Sequence, residues 1–121
     1  MSNETREKEK SSLSPLINSK LKNIKQRYLS EGFEIVGVFG SYARGNEDIF
    51  SDIDIAYRLD HNKFFKDDAF KKLLRIEAIK KELELNFQKK VDIISLNSNN
   101  QRLNESIKKE IVLIWKIDYF K

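Results

Sequence analysis

The chain has 121 residues, 40% of them hydrophobic and 35% charged, a size and balance that suit one soluble folded domain and leave no room for a second. It holds no cysteine, which excludes disulfides, thiol catalysis and sulfur-ligated zinc, so any metal would be held by oxygen. No apolar run nears the roughly 20 residues needed to cross a bilayer. The net charge of +4 is spread along the chain and not gathered in one basic block, so a cytoplasmic protein with no membrane partner and no nucleic-acid partner is expected.

Residues 1–12, MSNETREKEKSS, are too polar to offset the entropy of ordering, and are expected to be a flexible arm ahead of one domain at 13–121. A helix then opens with Ser14 as N-cap and Pro15 at its first position, carries Leu16, Ile17, Leu21, Ile24 and Tyr28 at helical spacing, and stops at Gly32. FEIVGVFG, 33–40, is short and rich in β-branched and aromatic residues, and reads as a buried strand. SYARGNED reads as one tight helical turn ending near Gly45 and Asn46. SDIDIAYRL is the second strand, with Ile53, Ile55, Tyr57 and Leu59 on one face and Asp52, Asp54 and Ala56 on the other.

From Lys66 to Phe87 the pattern is a long amphipathic helix, its turns traced by Phe70, Leu73, Leu74, Glu77, Lys80 and Leu83, with Asp67 and Asp68 at its positive end. Phe64 and Phe65 just before it either anchor this helix or face a partner. Val91–Leu96 is a third strand with Asp92 near its start, residues 98–110 a polar helix, and Ile111–Phe120 a fourth strand, a packed helical end or a dimer surface. A homo- or hetero-oligomer therefore stays open. The order of elements argues for an α+β fold, a small mixed β-sheet flanked by helices.

Asp52 and Asp54 share one face of a strand, with Cα atoms about 6.6 Å apart. Two ionised carboxylates there repel, so a cation belongs between them, and with no cysteine and one histidine a hard ion such as Mg²⁺ is the economical choice. Mg²⁺ held by few carboxylates completes its shell with water and phosphate oxygens, which calls for a phosphorylated ligand. Gly40 and Ser41, at a strand end turning into a short helix, offer backbone N–H groups and a hydroxyl, and Arg44 offers a fork for phosphate oxygens. A third carboxylate, Asp92, on a later strand would complete a clamp around two ions for in-line displacement at phosphorus. Ser51 reads as a residue that caps or orients the start of its strand. His61 lacks a second ligand at useful spacing and reads as a surface loop residue, while Trp115 and Phe120 read as packing residues.

GSYARGNEDIFSDIDIAYRLD, residues 40–60, resembles the signature of the DNA polymerase β-type nucleotidyltransferases, in particular the minimal nucleotidyltransferases, whose pattern is Gly-Ser-x-Ala-Arg-Gly followed by Ser-Asp-x-Asp. The fixed positions are Gly40, Ser41, Ala43, Arg44, Gly45, Ser51, Asp52 and Asp54, and Asp92 in VDIISL matches the family's third acidic position. The resemblance implies the nucleotidyltransferase fold, two Mg²⁺ ions, and transfer of a nucleoside monophosphate from a nucleoside triphosphate, ATP in the first instance, with release of pyrophosphate. By the same resemblance Asp52, Asp54 and Asp92 are catalytic metal ligands, and Gly40, Ser41 and Arg44 bind the nucleotide. Minimal members are typically paired with a HEPN-domain RNase toxin and act as its antitoxin, which implies AMP transfer to a hydroxyl of that partner, a tyrosine's. Two other readings stay open: an antitoxin that neutralises its partner by binding alone, and a small-molecule nucleotidyltransferase of the aminoglycoside-modifying type.

Overall fold

The computed structural model describes residues 15–48, 50–96 and 101–114. The elements run α1 (Pro15–Leu29), β1 (Phe33–Phe39), α2 (Ser41–Arg44), β2 (Ile53–Leu59), α3 (Ala69–Phe87), β3 (Val91–Ser95), α4 (Gln101–Glu110) and β4 (Val112–Leu113). The expected arm at 1–12, the Ser14 cap, Trp115 and Phe120 lie outside the described residues. Of the apolar run Ile111–Phe120, residues 111–114 are described, and Val112–Leu113 form a strand.

Four strands make one mixed sheet in the order β3-β2-β1-β4. β1 is antiparallel to both β2 and β4, whereas β2 and β3 are parallel and joined through α3, as a parallel pair requires a crossover. β2 is therefore interior, and Ile53, Ile55, Ala56 and Tyr57 along it are all buried. In β1 the alternation breaks where one extra residue, Val36, bulges between Ile35 and Gly37. A bulge shifts the side-chain phase by one residue, so Phe33, Ile35 and then Val38 reach the core. Gly37, just past the bulge, lets β4 draw close, since a Cβ there would collide with the Val112 carbonyl oxygen.

The core lies between this sheet and the helices. α1 buries Leu21, Ile24 and Tyr28, the spacing of one helix face. Leu16, expected on the same stripe, is 64% exposed because it sits in the first turn, ahead of the part that meets the sheet. Phe33 stacks on Tyr57 at 4.7 Å between ring centroids and meets Tyr28 edge-on at 6.1 Å, and fully buried Phe64 closes this aromatic cluster. Phe65 turns outward.

α3 corrects a second expectation. It begins at Ala69 and not at Lys66, and Asp68 caps it, its carboxylate accepting the Lys71 N–H at 3.0 Å. Phe70, Leu73 and Leu74, however, are 69%, 60% and 55% exposed, and the helix is buried through Ile79 and Leu83 with Ile76 and Phe87 partly covered. Two apolar stripes compete on this helix. Ile76, Ile79, Leu83 and Phe87 form the stripe that faces the core, and Phe70, Leu73 and Leu74 lie on the side of the helix turned away from it.

Candidate active site

Three backbone segments meet at one end of the sheet: the end of β1, the start of β2 and the start of β3. In the ladder Phe39 lies opposite Asp54, and Asp54 opposite Asp92. Because β2 and β3 are parallel and in this register, two carboxylates 38 positions apart in sequence become lateral neighbours on one face. Asp52 stands two residues before Asp54, half-buried just ahead of the strand.

The start of β2 is held from several sides. Ser51 Oγ accepts the Asp48 N–H at 2.9 Å, its own N–H donates to the Asp48 carbonyl at 3.1 Å, and the Asp48 carboxylate accepts the Phe50 N–H at 2.8 Å. Lys89 Nζ donates to the Ser51 carbonyl at 3.3 Å, and the Ile53 N–H donates to the Lys90 carbonyl at 3.0 Å. The start of β3 is held by Glu84, whose carboxylate accepts the Val91 N–H at 3.1 Å. Ser51 is thus engaged in orienting the strand, as its place in the sequence suggested.

Gly40 forms the turn from β1 into α2 with φ +77° and ψ −152°, a region open in practice to glycine alone. A Cβ at this position would run into Asp54 Oδ2, so the backbone of the turn and the carboxylate are in near contact. α2 anchors the turn through buried Tyr42 and Ala43, with Ser41 half-buried and Arg44 exposed at its end. The glycine-serine turn and the three aspartates are therefore parts of one site.

The charges there are out of balance. Asp54 is pushed up to about 6, first by burial, then by the neighbouring charges of Asp92 and Asp52 and a side-chain hydrogen bond with Asp92, with Arg44 opposing. Among the described residues none of the three aspartates forms an ion pair. Nor do three carboxylate or imidazole groups among the described residues surround one point closely enough to hold an ion by themselves. An all-oxygen acid set with uncompensated charge fits a hard divalent cation, and its openness fits an ion whose shell is completed by a phosphorylated ligand.

Glu110 belongs to the site and was not singled out in the sequence. Its Oε1 accepts the Gly40 N–H at 3.0 Å and Arg44 Nη1 at 3.0 Å, across separations of 70 and 66 residues. The one local signal is its place in the last turn of α4, where the helix dipole disfavours an acid. Lys89 was missed as well, since a lysine in a basic connection carries no mark of its partner. His61 is remote, exposed beyond the far end of β2, with Lys72 Nζ 3.0 Å from its Nδ1. Among the described residues no helix is long and apolar enough to cross a membrane.

The family described as Polymerase beta, Nucleotidyltransferase matches residues 19–119. Two proteins of Methanocaldococcus jannaschii, both provisionally named protein adenylyltransferases, are similar to the chain. One is 34% identical over 84 residues, 69% of this chain and 82% of the relative. The other is 31% identical over 105 residues, 86% of this chain and 96% of the relative. A solved structure provisionally described as a minimal nucleotidyltransferase superposes with a TM-score of 0.64 at 26% identity, covering 79% of this chain and 90% of that one. A toxin-antitoxin crystal structure with AMP-PNP superposes with a TM-score of 0.58 at 25% identity, covering 78% of this chain and 71% of that one.

Proposed function

Because the chain belongs to the polymerase beta nucleotidyltransferase family, we propose that it transfers AMP from ATP to a hydroxyl of a partner protein and acts as an antitoxin. The partner is a HEPN-domain RNase toxin, the acceptor hydroxyl is a tyrosine's, and the reaction runs in the cytoplasm. The observation that carries this reading is the in-register pair Asp54 and Asp92 against the Gly40 turn, with Asp52 adding a third, unpaired charge. Supporting it are the relatives named for protein adenylylation and the likeness to a toxin-antitoxin structure with AMP-PNP. The tyrosine and the HEPN fold of the partner rest on the resemblance of the motif.

In this reading Asp52, Asp54 and Asp92 hold two Mg²⁺ ions, which when bound would neutralise charge developing at the α-phosphate. Gly40, through its N–H, and Ser41, through its hydroxyl, donate hydrogen bonds to the outgoing phosphates, and Arg44 adds a charged donor. Exposed Asp92 faces solvent, where an acceptor hydroxyl would approach, and its carboxylate takes up the hydroxyl proton. Holding these groups on strand ends fixes the attack geometry before the acceptor arrives.

The test is the intact mass of the candidate toxin after incubation with this protein, Mg²⁺ and each nucleoside triphosphate in turn. A gain of one or more AMP units with ATP, absent with Asp54→Asn, is the expected result. A stable complex that blocks the toxin with no mass gain would replace the transferase with neutralisation by binding alone.

A further inference from the structure

Glu110 closes α4 in the same turn as Lys108 and Lys109, at the helix pole that repels a negative charge. What holds its carboxylate is tertiary. Val112 and Leu113 pair with Val38 and Gly37, and the Ile114 N–H donates to the Val36 carbonyl at 3.0 Å. These bonds deliver Glu110 to the end of β1, where one oxygen takes both the Gly40 N–H and Arg44 Nη1. A backbone amide and a guanidinium converging on one anionic oxygen is the arrangement by which proteins grip phosphate.

We infer that Glu110 is an internal substitute for phosphate, a latch that occupies the nucleotide seat and must leave before a triphosphate can take the same donors. This rests on the nucleotide-binding reading of Gly40 and Arg44. The side chains of Glu110 and Arg44 are 37% and 52% exposed, so the pair is screened by water and opens at small cost. A bound triphosphate and the Glu110 carboxylate cannot share these donors, and their negative charges repel. The latch therefore lowers apparent nucleotide affinity by the fraction of time that it is closed. It also keeps the Gly40 amide satisfied in the resting protein.

Binding of AMP-PNP with Mg²⁺, measured by calorimetry on the full chain, tests this without turnover. Glu110→Gln keeps the shape and removes the charge, and Glu110→Ala removes the acceptor. Thermal unfolding of each variant checks that it is folded. Both are expected to bind about threefold to tenfold more tightly than the natural chain, the range of an exposed charged pair with a charge-assisted amide bond. Unchanged or weaker binding by folded variants, with the natural chain still binding, overturns the latch and leaves the nucleotide reading standing. No binding by any of the three overturns that reading, and the latch with it.

Discussion

The three aspartates at one end of the sheet are treated in the opposite way to the glutamates at the other. At the end where β1 begins, Glu31 receives a two-pronged grip from Arg75 at 2.9 and 2.8 Å, and Glu34 pairs with Arg58 at 3.0 Å and with buried Lys25 at 3.6 Å. At the end where β1 finishes, Asp52, Asp54 and Asp92 stand together with no such partner among the described residues, and Asp54 is pushed up to about 6. The first arrangement is what folding stability favours, since each charge keeps a counter-charge. The second stores repulsion that stability alone does not explain, and perturbed carboxylates of this kind mark functional sites. A groove of about 400 Å³ lies at the paired end, beside Glu34, Arg58 and Asp60.

Asp54→Asn should break the contrast most sharply, cutting transfer by about a thousandfold, in the range for removing one key charge-stabilising group. Circular dichroism should show the fold intact, and a folded variant with undiminished transfer would refute the role of the acid end. Gly40→Ala comes next. It puts a Cβ against Asp54 at a φ that other residues avoid, and should cost about 1–3 kcal/mol in chemical denaturation while displacing the carboxylate and lowering transfer. At the paired end Arg75→Ala should lose about 1 kcal/mol of stability and leave transfer unchanged. An effect on transfer as large as that of Asp54→Asn would erase the distinction between the ends.

A dependence on pH is expected as well. The carboxyl of Asp54 titrates near 3.8 in the unfolded chain and near 6 in the folded one, so between these values the folded state binds the extra proton. Stability should therefore fall as pH rises from about 4 to 6 in the metal-free protein, because the charged form is disfavoured by folding. The difference in melting temperature between the natural chain and Asp54→Asn, followed over that range, should grow in favour of the variant. A constant difference would mean that Asp54 titrates alike in both states.

The strands and the helical turn at Ser41–Arg44 were legible because their signals are local: β-branched runs and a glycine at each side of the turn. The aspartates were legible for the same reason, since Asp54 lies in β2 and Asp52 two residues before it, just ahead of the strand. Asp92 was grouped with them as the third carboxylate, but the parallel, in-register pairing that sets it beside Asp54 was not legible, because it depends on which strands pair, in which direction and in what register. Glu110 lay further from view, as its unfavourable place at the helix end does not tell that its partner stands 70 residues back. The exposed stripe of Phe70, Leu73 and Leu74 misled for a related reason. Periodicity shows that a helix has apolar positions, but which of two stripes faces the sheet is a property of the assembled layers.

The most direct measurement is paramagnetic broadening of amide resonances by Mn²⁺ in the presence of AMP-PNP, read across both ends of the sheet. Broadening centred on Gly40–Ala43, Ile53–Ile55 and Val91–Ile93, and lost in Asp54→Asn, is expected if the unpaired aspartates hold a cation with a nucleotide. Broadening that is absent there, or equally strong around Glu31 and Glu34, would contradict the assignment of function to the acid end.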